Sequence, residues 1–231
     1  MNLLLSPAEI ARITSTVEGW LSEEQGRALY DAAAATTGHG VIVEIGSWKG
    51  RSTVWLAAGA HRAGQRVYAI DPHRDSREDP TANTFSEFLE NLRRAGVSDV
   101  VEPMVMTSAE AAAVIREPVE LLFIDGDHTT EGVKRDVDLW LPRLVSGGVL
   151  MMHDVGAITY VGPRRAFRHM VCWNPSFEGI ARIGSMGVAR RTPRRGWIAA
   201  AWGGAAGFLL YLYDLKRWLK GWRRGYSTAT R

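Results

Sequence analysis

Apolar residues recur along this chain in two alternating rhythms. Short β-branched runs are each followed by longer stretches whose apolar positions lie three and four apart, the spacing that lines up one face of a helix. The runs at 41–46, 66–71, 100–106, 119–125 and 149–153 predict strands, the last after a Gly147-Gly148 turn. The intervals 51–63, 84–95, 108–116 and 131–144 predict helices. Upstream, Ser6 with Glu9 and Ser22 with Gln25 have capping-box spacing, which predicts helices near 7–17 and 23–36. Strands alternating with such helices imply right-handed crossovers, hence a mostly parallel sheet covered on both faces. Segments 177–183 and 186–191, parted by Gly184 and Ser185, predict a closing antiparallel hairpin. The expected class is α/β, Rossmann-like, with seven strands. The chain divides into a helical cap at 1–36, a catalytic domain at 37–192 and an extension at 193–231.

At 231 residues, the chain is long enough for one such domain with a well-buried core. Its 46% apolar and 23% charged residues exclude disordered and fibrous classes. Cys172 is the only cysteine, which excludes an internal disulfide and a Cys-rich zinc site. The first residues lack the basic region and long apolar run of a secretory signal, so a cytoplasmic location is expected. The net charge of +3 hides an asymmetry: residues 190–231 hold ten of the 28 Lys and Arg but one of the 25 Asp and Glu. A basic tail on an acidic body points to an anionic surface partner.

In a doubly wound sheet, ligands sit outside the carboxyl ends of the strands. The first strand ends in Glu44-Ile-Gly46-Ser-Trp-Lys-Gly50, where two glycines let backbone amides approach a ligand beside a helix N-terminus. The spacing is GxxxG, not the GxGxxG of a dinucleotide pyrophosphate site, and a plain tight turn is the alternative. The second strand ends in Asp71, whose carboxylate can accept from two ribose hydroxyls or simply be solvated before Pro72. The fourth ends Asp125-Gly126-Asp127-His128 and the fifth His153-Asp154, bringing carboxylates and imidazoles to neighbouring strand ends.

VEIGSWKGRSTVWLA (43–57), YAIDPH (68–73), LLFIDGDHTTEGVKRDVDLW (121–140) and GGVLMMHD (147–154), in this order and spacing, resemble the class I S-adenosylmethionine-dependent methyltransferases. Within them the motifs are similar to a branch of antibiotic and saccharide O-methyltransferases and cephalosporin-hydroxylase-like proteins, over roughly residues 17–191. The resemblance implies that Glu44 and Gly46 border the methionine part of S-adenosylmethionine, with Ser47, Gly50 and Ser52 in the same turn. It implies that Asp71 holds the ribose and that Ser108 and Ala109 flank the adenine, although TSAE could equally cap a helix. It also implies that Asp125 is among the residues that touch the cofactor.

Methyl transfer to a hydroxyl needs in-line alignment of oxygen, methyl and sulfur, and an alcohol made nucleophilic by a divalent cation or a base. In metal-dependent members such as catechol O-methyltransferase, an acid ending strand four and two polar residues ending strand five hold the cation. The resemblance carries these roles onto Asp125, His153 and Asp154, and that of the base onto His128. His153 departs from the usual Asp, Glu or Asn: an imidazole suits Mn²⁺, Fe²⁺ or Zn²⁺ better than Mg²⁺, or His153 acts as a second base. The plainer reading makes Asp125 and Asp127 turn-formers and His128 a helix cap. His39, His61, His73 and His169 read as surface residues. An Fe(II) oxygenase and a noncatalytic tail-anchored scaffold are the competing classes; the first leaves the glycine turn and Asp71 without a ligand.

The acceptor, a small molecule or a saccharide, is expected under segments 72–83 and 155–176, where Arg164, Arg165 and Arg168 either meet it or form a solvated face. In the extension, the stretch from Trp197 to Tyr213 has no charge and is flanked by arginines and by KRWLKGWRR. Cations on both sides and interleaved tryptophans fit an interfacial anchor on an anionic leaflet, peripheral on the inner face, better than a spanning helix. Packing on its own domain or across a homodimer is the alternative, with nucleic acid behind both.

Overall fold

The computed structural model describes residues 5–74, 84–157, 159–193 and, in the extension, 201, 204–210, 212 and 216. Seven strands form one sheet in the order β3-β2-β1-β4-β5-β7-β6. These are β1 (Val41–Ile45), β2 (Val67–Ile70), β3 (Val101–Met104), β4 (Val119–Ile124), β5 (Leu144–Met152), β6 (Phe177–Ile183) and β7 (Met186–Arg191). The first five pair in parallel, and β7 runs antiparallel between β5 and β6. The helices are α1 (Pro7–Thr14), α2 (Glu23–Ala34), α3 (Arg51–Ala63), α4 (Thr84–Ala95), α5 (Ser108–Val114), α6 (Thr130–Trp140) and α7 (Gly162–Phe167). Order and type match the sequence pattern for the seven strands and the first six helices, and the Rossmann-like class holds.

The two-residue period of β4 sorts its side chains between two cores. Leu121 and Phe123 join Leu29, Trp55, Leu56 and Phe88 on one face, and Leu122 and Ile124 join Val43, Trp140, Phe167 and Val171 on the other. The leading helices share the first core: Gly59 of α3 is so close to α2 that a Cβ there would sit 2.3 Å from the Tyr30 carbonyl oxygen. Both expected capping boxes form, at Ser6 with Glu9 and Ser22 with Gln25. A third forms at Thr107 with Glu110, so TSAE does cap α5.

Three expectations are corrected. α6 stops at Trp140 because Pro142 has no N–H to continue the ladder, and residues 141–143 close as a single tighter turn. β5 starts at Leu144, not Val149: Leu144 pairs with Val119, the strand bulges through Gly147 at φ +83°, and pairing resumes at Val149. Segment 155–176 is no simple covering loop, since it contains α7 and a π-helical turn, Arg168–Cys172, with Arg164 1% exposed. The Arg164 guanidinium donates to the Ala157 carbonyl at 2.7 Å, so a solvated face is excluded for it.

Residues 75–83 of the expected acceptor segment and most of the extension, including Trp197, Trp218 and Trp222, lie outside the described residues. Within the extension, Gly207 packs against Trp173: a Cβ there would lie 2.4 Å from the indole Nε1. No helix among the described residues is long and apolar enough to cross a membrane.

Candidate active site

The strand order reverses between β1 and β4, and there a cavity of about 710 Å³ opens beyond the carboxyl ends of the strands. A row of backbone hydrogen bonds holds these ends level. Asp71 N–H donates to Met104 O, Gly46 to Ile70, Asp125 to Ile45 and His153 to Ile124, at 2.8 to 3.1 Å. Gly46, at φ +89°, is so close to β4 that a Cβ would lie 2.2 Å from the Asp125 carbonyl oxygen. Among the described residues, three non-glycines have left-handed backbones: Trp48, His73 and Asp154, following β1, β2 and β5 respectively. All three line the cavity, and such conformations cost about 1 to 3 kcal/mol each, which concentrates strain at one site.

On the β1–β2 side, the Asp71 carboxylate ties two of these strained residues together. Trp48 N–H donates to Oδ2 at 2.8 Å and His73 N–H to Oδ1 at 2.7 Å. Each oxygen keeps a second lone pair for a ligand. Beside it, the Ser47 hydroxyl and the Trp48 indole N–H are buried with no hydrogen-bond partner among the described residues. His73, expected at the surface, is a correction: its side chain is 2% exposed, contacts Thr84 Oγ1 at 3.2 Å and packs on Phe85 and Phe88. Burial, partly opposed by the Asp71 charge, pushes its pKa down.

Of the nine residues expected to touch cofactor, Gly46, Ser47, Ser52, Asp71, Ser108 and Asp125 line the cavity. Glu44, Gly50 and Ala109 are not among its lining residues. Glu44 is fully buried behind the turn, its carboxyl hydrogen-bonded to Ser52 Oγ at 2.5 Å and Thr53 Oγ1 at 2.6 Å. Burial raises its pKa to about 8 against those two bonds, so near neutral pH it is a protonated brace between β1 and α3. Gly50 caps α3 in a left-handed conformation facing Phe88, and Ala109 is exposed on α5. The Ser108 hydroxyl is hydrogen-bonded to the buried Asp136 of α6.

On the β4–β5 side, two acids and two imidazoles converge. His128 Nε2 lies 2.9 Å from Asp154 Oδ2 and 3.6 Å from Asp125 Oδ1. His153 Nδ1 lies 3.3 Å from Asp125 Oδ1 and 3.5 Å from Asp154 Oδ1. Burial depresses both imidazoles, but hydrogen bonds and charge from the acids outweigh it, leaving His128 at about 9 and His153 at about 10. The Asp154 carboxyl, though raised by burial, is driven well below the usual carboxylate range by the same two partners. Asp125, His128 and Asp154 present ligand atoms within 4.8 Å of one another, so His128 stands in the candidate metal set beside the expected Asp125, His153 and Asp154. Helix capping here falls to Thr129, which accepts from Gly132 N–H, and Asp127 shapes the turn by accepting from Thr129 N–H. The plainer roles for His128 and Asp125 are thus taken by their neighbours. Tyr160, which sequence reasoning did not single out, stacks on His128 at 4.1 Å.

Residues 43–155 match the family model described as a methyltransferase domain. A catechol O-methyltransferase of Mycobacterium tuberculosis (strain ATCC 25618 / H37Rv) is 32% identical to the chain over 148 residues, 64% of this chain and 59% of that protein. The chain thus spans about three-fifths of this curated relative's length. Among solved structures, cofactor-bound Rv0187 from MTB superposes with a TM-score of 0.60 at 24% identity, covering 82% of this chain and 89% of its own. An O-methyltransferase from Bacillus cereus in complex with SAH gives 0.58 at 21%, covering 80% and 90%. At such identities the structures show a shared fold, and the cavity of this chain lies at the same strand ends that the sequence singles out.

Proposed function

We propose that the chain is an S-adenosylmethionine-dependent O-methyltransferase. The observation that carries this reading is the pairing, across one cavity, of a nucleoside-type cradle around Asp71 with an acid–imidazole cluster at Asp125, His128, His153 and Asp154. The orphaned Ser47 hydroxyl and Trp48 indole N–H fit an acceptor-rich ligand such as the amino-acid end of that cofactor. The similarity to a catechol O-methyltransferase supports the choice of oxygen as acceptor.

The protein's own contribution is placement and proton handling. Asp71 accepts from the ribose hydroxyls while its backbone bonds hold the two strained loops. Gly46 leaves room between β1 and β4, and Glu44 fixes Ser52 from behind. S-adenosylmethionine supplies an electrophilic methyl on a sulfonium, and alignment with the acceptor oxygen is worth up to roughly 7 to 11 kcal/mol. His128 is the candidate acceptor of the hydroxyl proton; facing Asp154 and Asp125 it keeps its own proton up to about pH 9, so it serves as a base only in its neutral form, and Tyr160 stacks on its ring. The cluster also fits a divalent cation, Mg²⁺ or Mn²⁺, held by Asp125 and Asp154 with His128 or His153 as the imidazole ligand, which would lower the pKa of the acceptor hydroxyl.

For the acceptor, a hydroxyl of a saccharide, glycolipid or glycosylated natural product is the reading that the lining supports. Trp20 and Trp48 stack at 5.1 Å beside a wall of mixed polar and apolar surface, the combination that a sugar ring presents in turn. In the extension, Phe208, Leu209 and Leu212 are exposed while Ala206, Gly207 and Leu210 turn toward the domain. That two-sided helix, within an extension carrying eight cations, supports peripheral contact with an anionic bilayer. Calorimetry tests the central reading: S-adenosylmethionine should bind the purified protein, whereas binding of 2-oxoglutarate with Fe(II) in its place would establish the oxygenase alternative.

A further inference from the structure

Behind His153 lies a buried amide that the reaction scheme leaves unused. Gln25 of α2 is 3% exposed and meets three elements at once. Its Oε1 accepts from Ser22 N–H at 2.9 Å, and its Nε2 donates to the Ile183 carbonyl at 3.3 Å and to Ser185 Oγ at 2.9 Å. A backbone N–H can only donate and a carbonyl can only accept, so these two partners fix which end of the amide is which. The atom left facing His153 Nε2, at 3.4 Å, is therefore the acceptor Oε1, with Ser185 Oγ at 3.5 Å.

From this geometry we infer that Gln25 is a positioning residue: it holds the Nε2–H of His153 in place, so that once a cation displaces the Nδ1 proton shared with Asp125 and Asp154, the Nδ1 lone pair is aimed at the space between the two acids. This rests on the reading that the cluster binds a cation, and it specifies which cation. A ring nitrogen fixed at 3.3 and 3.5 Å from two carboxylate oxygens makes a mixed N/O set, which takes Mn²⁺ or Zn²⁺ in preference to Mg²⁺. An outer partner that fixes a ligating imidazole through its far N–H commonly sets metal affinity by about 10- to 100-fold. The arrangement also distinguishes the two imidazoles. His153 is tethered from behind by the Gln25 amide, while His128 is stacked on Tyr160 at the cavity wall.

The test uses the full chain and the metals themselves. Mn²⁺ and Mg²⁺ are titrated calorimetrically into wild type, Gln25→Met, Gln25→Glu and Ser22→Ala. Gln25→Met removes the acceptor at similar volume and should weaken Mn²⁺ binding about 10- to 100-fold while narrowing the Mn²⁺ over Mg²⁺ preference. Gln25→Glu retains an acceptor and should stay within about threefold of wild type. Ser22→Ala damages the same helix cap without touching His153, so it should lower Tm as Gln25→Met does yet leave Mn²⁺ affinity intact. With Zn²⁺ bound, long-range ¹H–¹⁵N spectra should show His153 protonated at Nε2 in wild type. Unchanged Mn²⁺ affinity in Gln25→Met, equal weakening in Ser22→Ala, or a proton on Nδ1 in the Zn²⁺ form would each overturn the inference. A wild type that binds S-adenosylhomocysteine but no Mn²⁺ or Zn²⁺ removes the cation reading itself.

Discussion

Replacing Asp71 with Asn separates the two tasks assigned to that side chain. The carboxylate accepts Trp48 N–H at 2.8 Å on one oxygen and His73 N–H at 2.7 Å on the other, and both donors belong to residues with left-handed backbones. An asparagine keeps one acceptor oxygen and turns an NH₂ toward the other backbone N–H. That donor is left unsatisfied, a cost of about 1 to 3 kcal/mol to stability. The ligand loses one charge-assisted hydrogen bond, worth about 1.5 to 3 kcal/mol, and hence roughly 10- to 150-fold in affinity. Calorimetry with S-adenosylhomocysteine reads the second effect, and urea denaturation followed by circular dichroism reads the first. A variant of wild-type near-ultraviolet spectrum whose affinity lies within threefold of wild type would refute the ribose role and leave Asp71 as a loop tie alone.

Glu44→Gln addresses the buried carboxyl. Its folded pKa of about 8 stands above the unfolded 4.5, so the unfolded chain gives up this proton first and the group withdraws stability as pH rises from about 4.5 through about 8. The variant should therefore gain on wild type progressively over that window in denaturation experiments; parallel pH profiles would contradict it. For the imidazole pair the sign follows from raised bases: their contribution is complete below about 6.5 and is lost as pH climbs through about 9 and 10. Metal-free protein should lose stability over that range. Mn²⁺ should release protons on binding at pH 7, seen as calorimetric heats that vary with buffer ionisation enthalpy, and buffer-independent heats would count against it. Gly46→Ala places a Cβ 2.2 Å from the Asp125 carbonyl oxygen at a φ of +89°. Roughly 2 to 5 kcal/mol of stability and most cofactor binding should go, and a Tm within a degree of wild type would show that the turn can relax.

Periodicity exposed the strands and helices because one face of each must be buried, and the strand ends followed from that order. Asp71, Asp125, His128, His153 and Asp154 were legible for this reason: each sits where a parallel sheet places its ligands. Glu44 was placed by motif and not by environment. Nothing local says that its carboxyl turns into α3 and away from the cavity, which depends on Ser52 and Thr53 reaching back to it. Gln25 showed its local role as a capping residue, whereas its contact with His153 joins positions 128 residues apart and has no sequence signature. His73 read as a surface residue because its burial comes from Phe85 and Phe88, on a helix 11 or more residues downstream. The start of β5 was missed because Gly147 and Gly148 read as a turn, and only pairing with Val119 shows them to be a bulge within the strand.

The account stands or falls on transfer of a methyl group to oxygen. Purified protein incubated with methyl-labelled S-adenosylmethionine and a saccharide-rich extract, with and without EDTA, should place the label in an ether, found by mass spectrometry as a labelled methyl on a hydroxyl-bearing product. No labelled product, from a protein that also shows no affinity for S-adenosylhomocysteine, would contradict it.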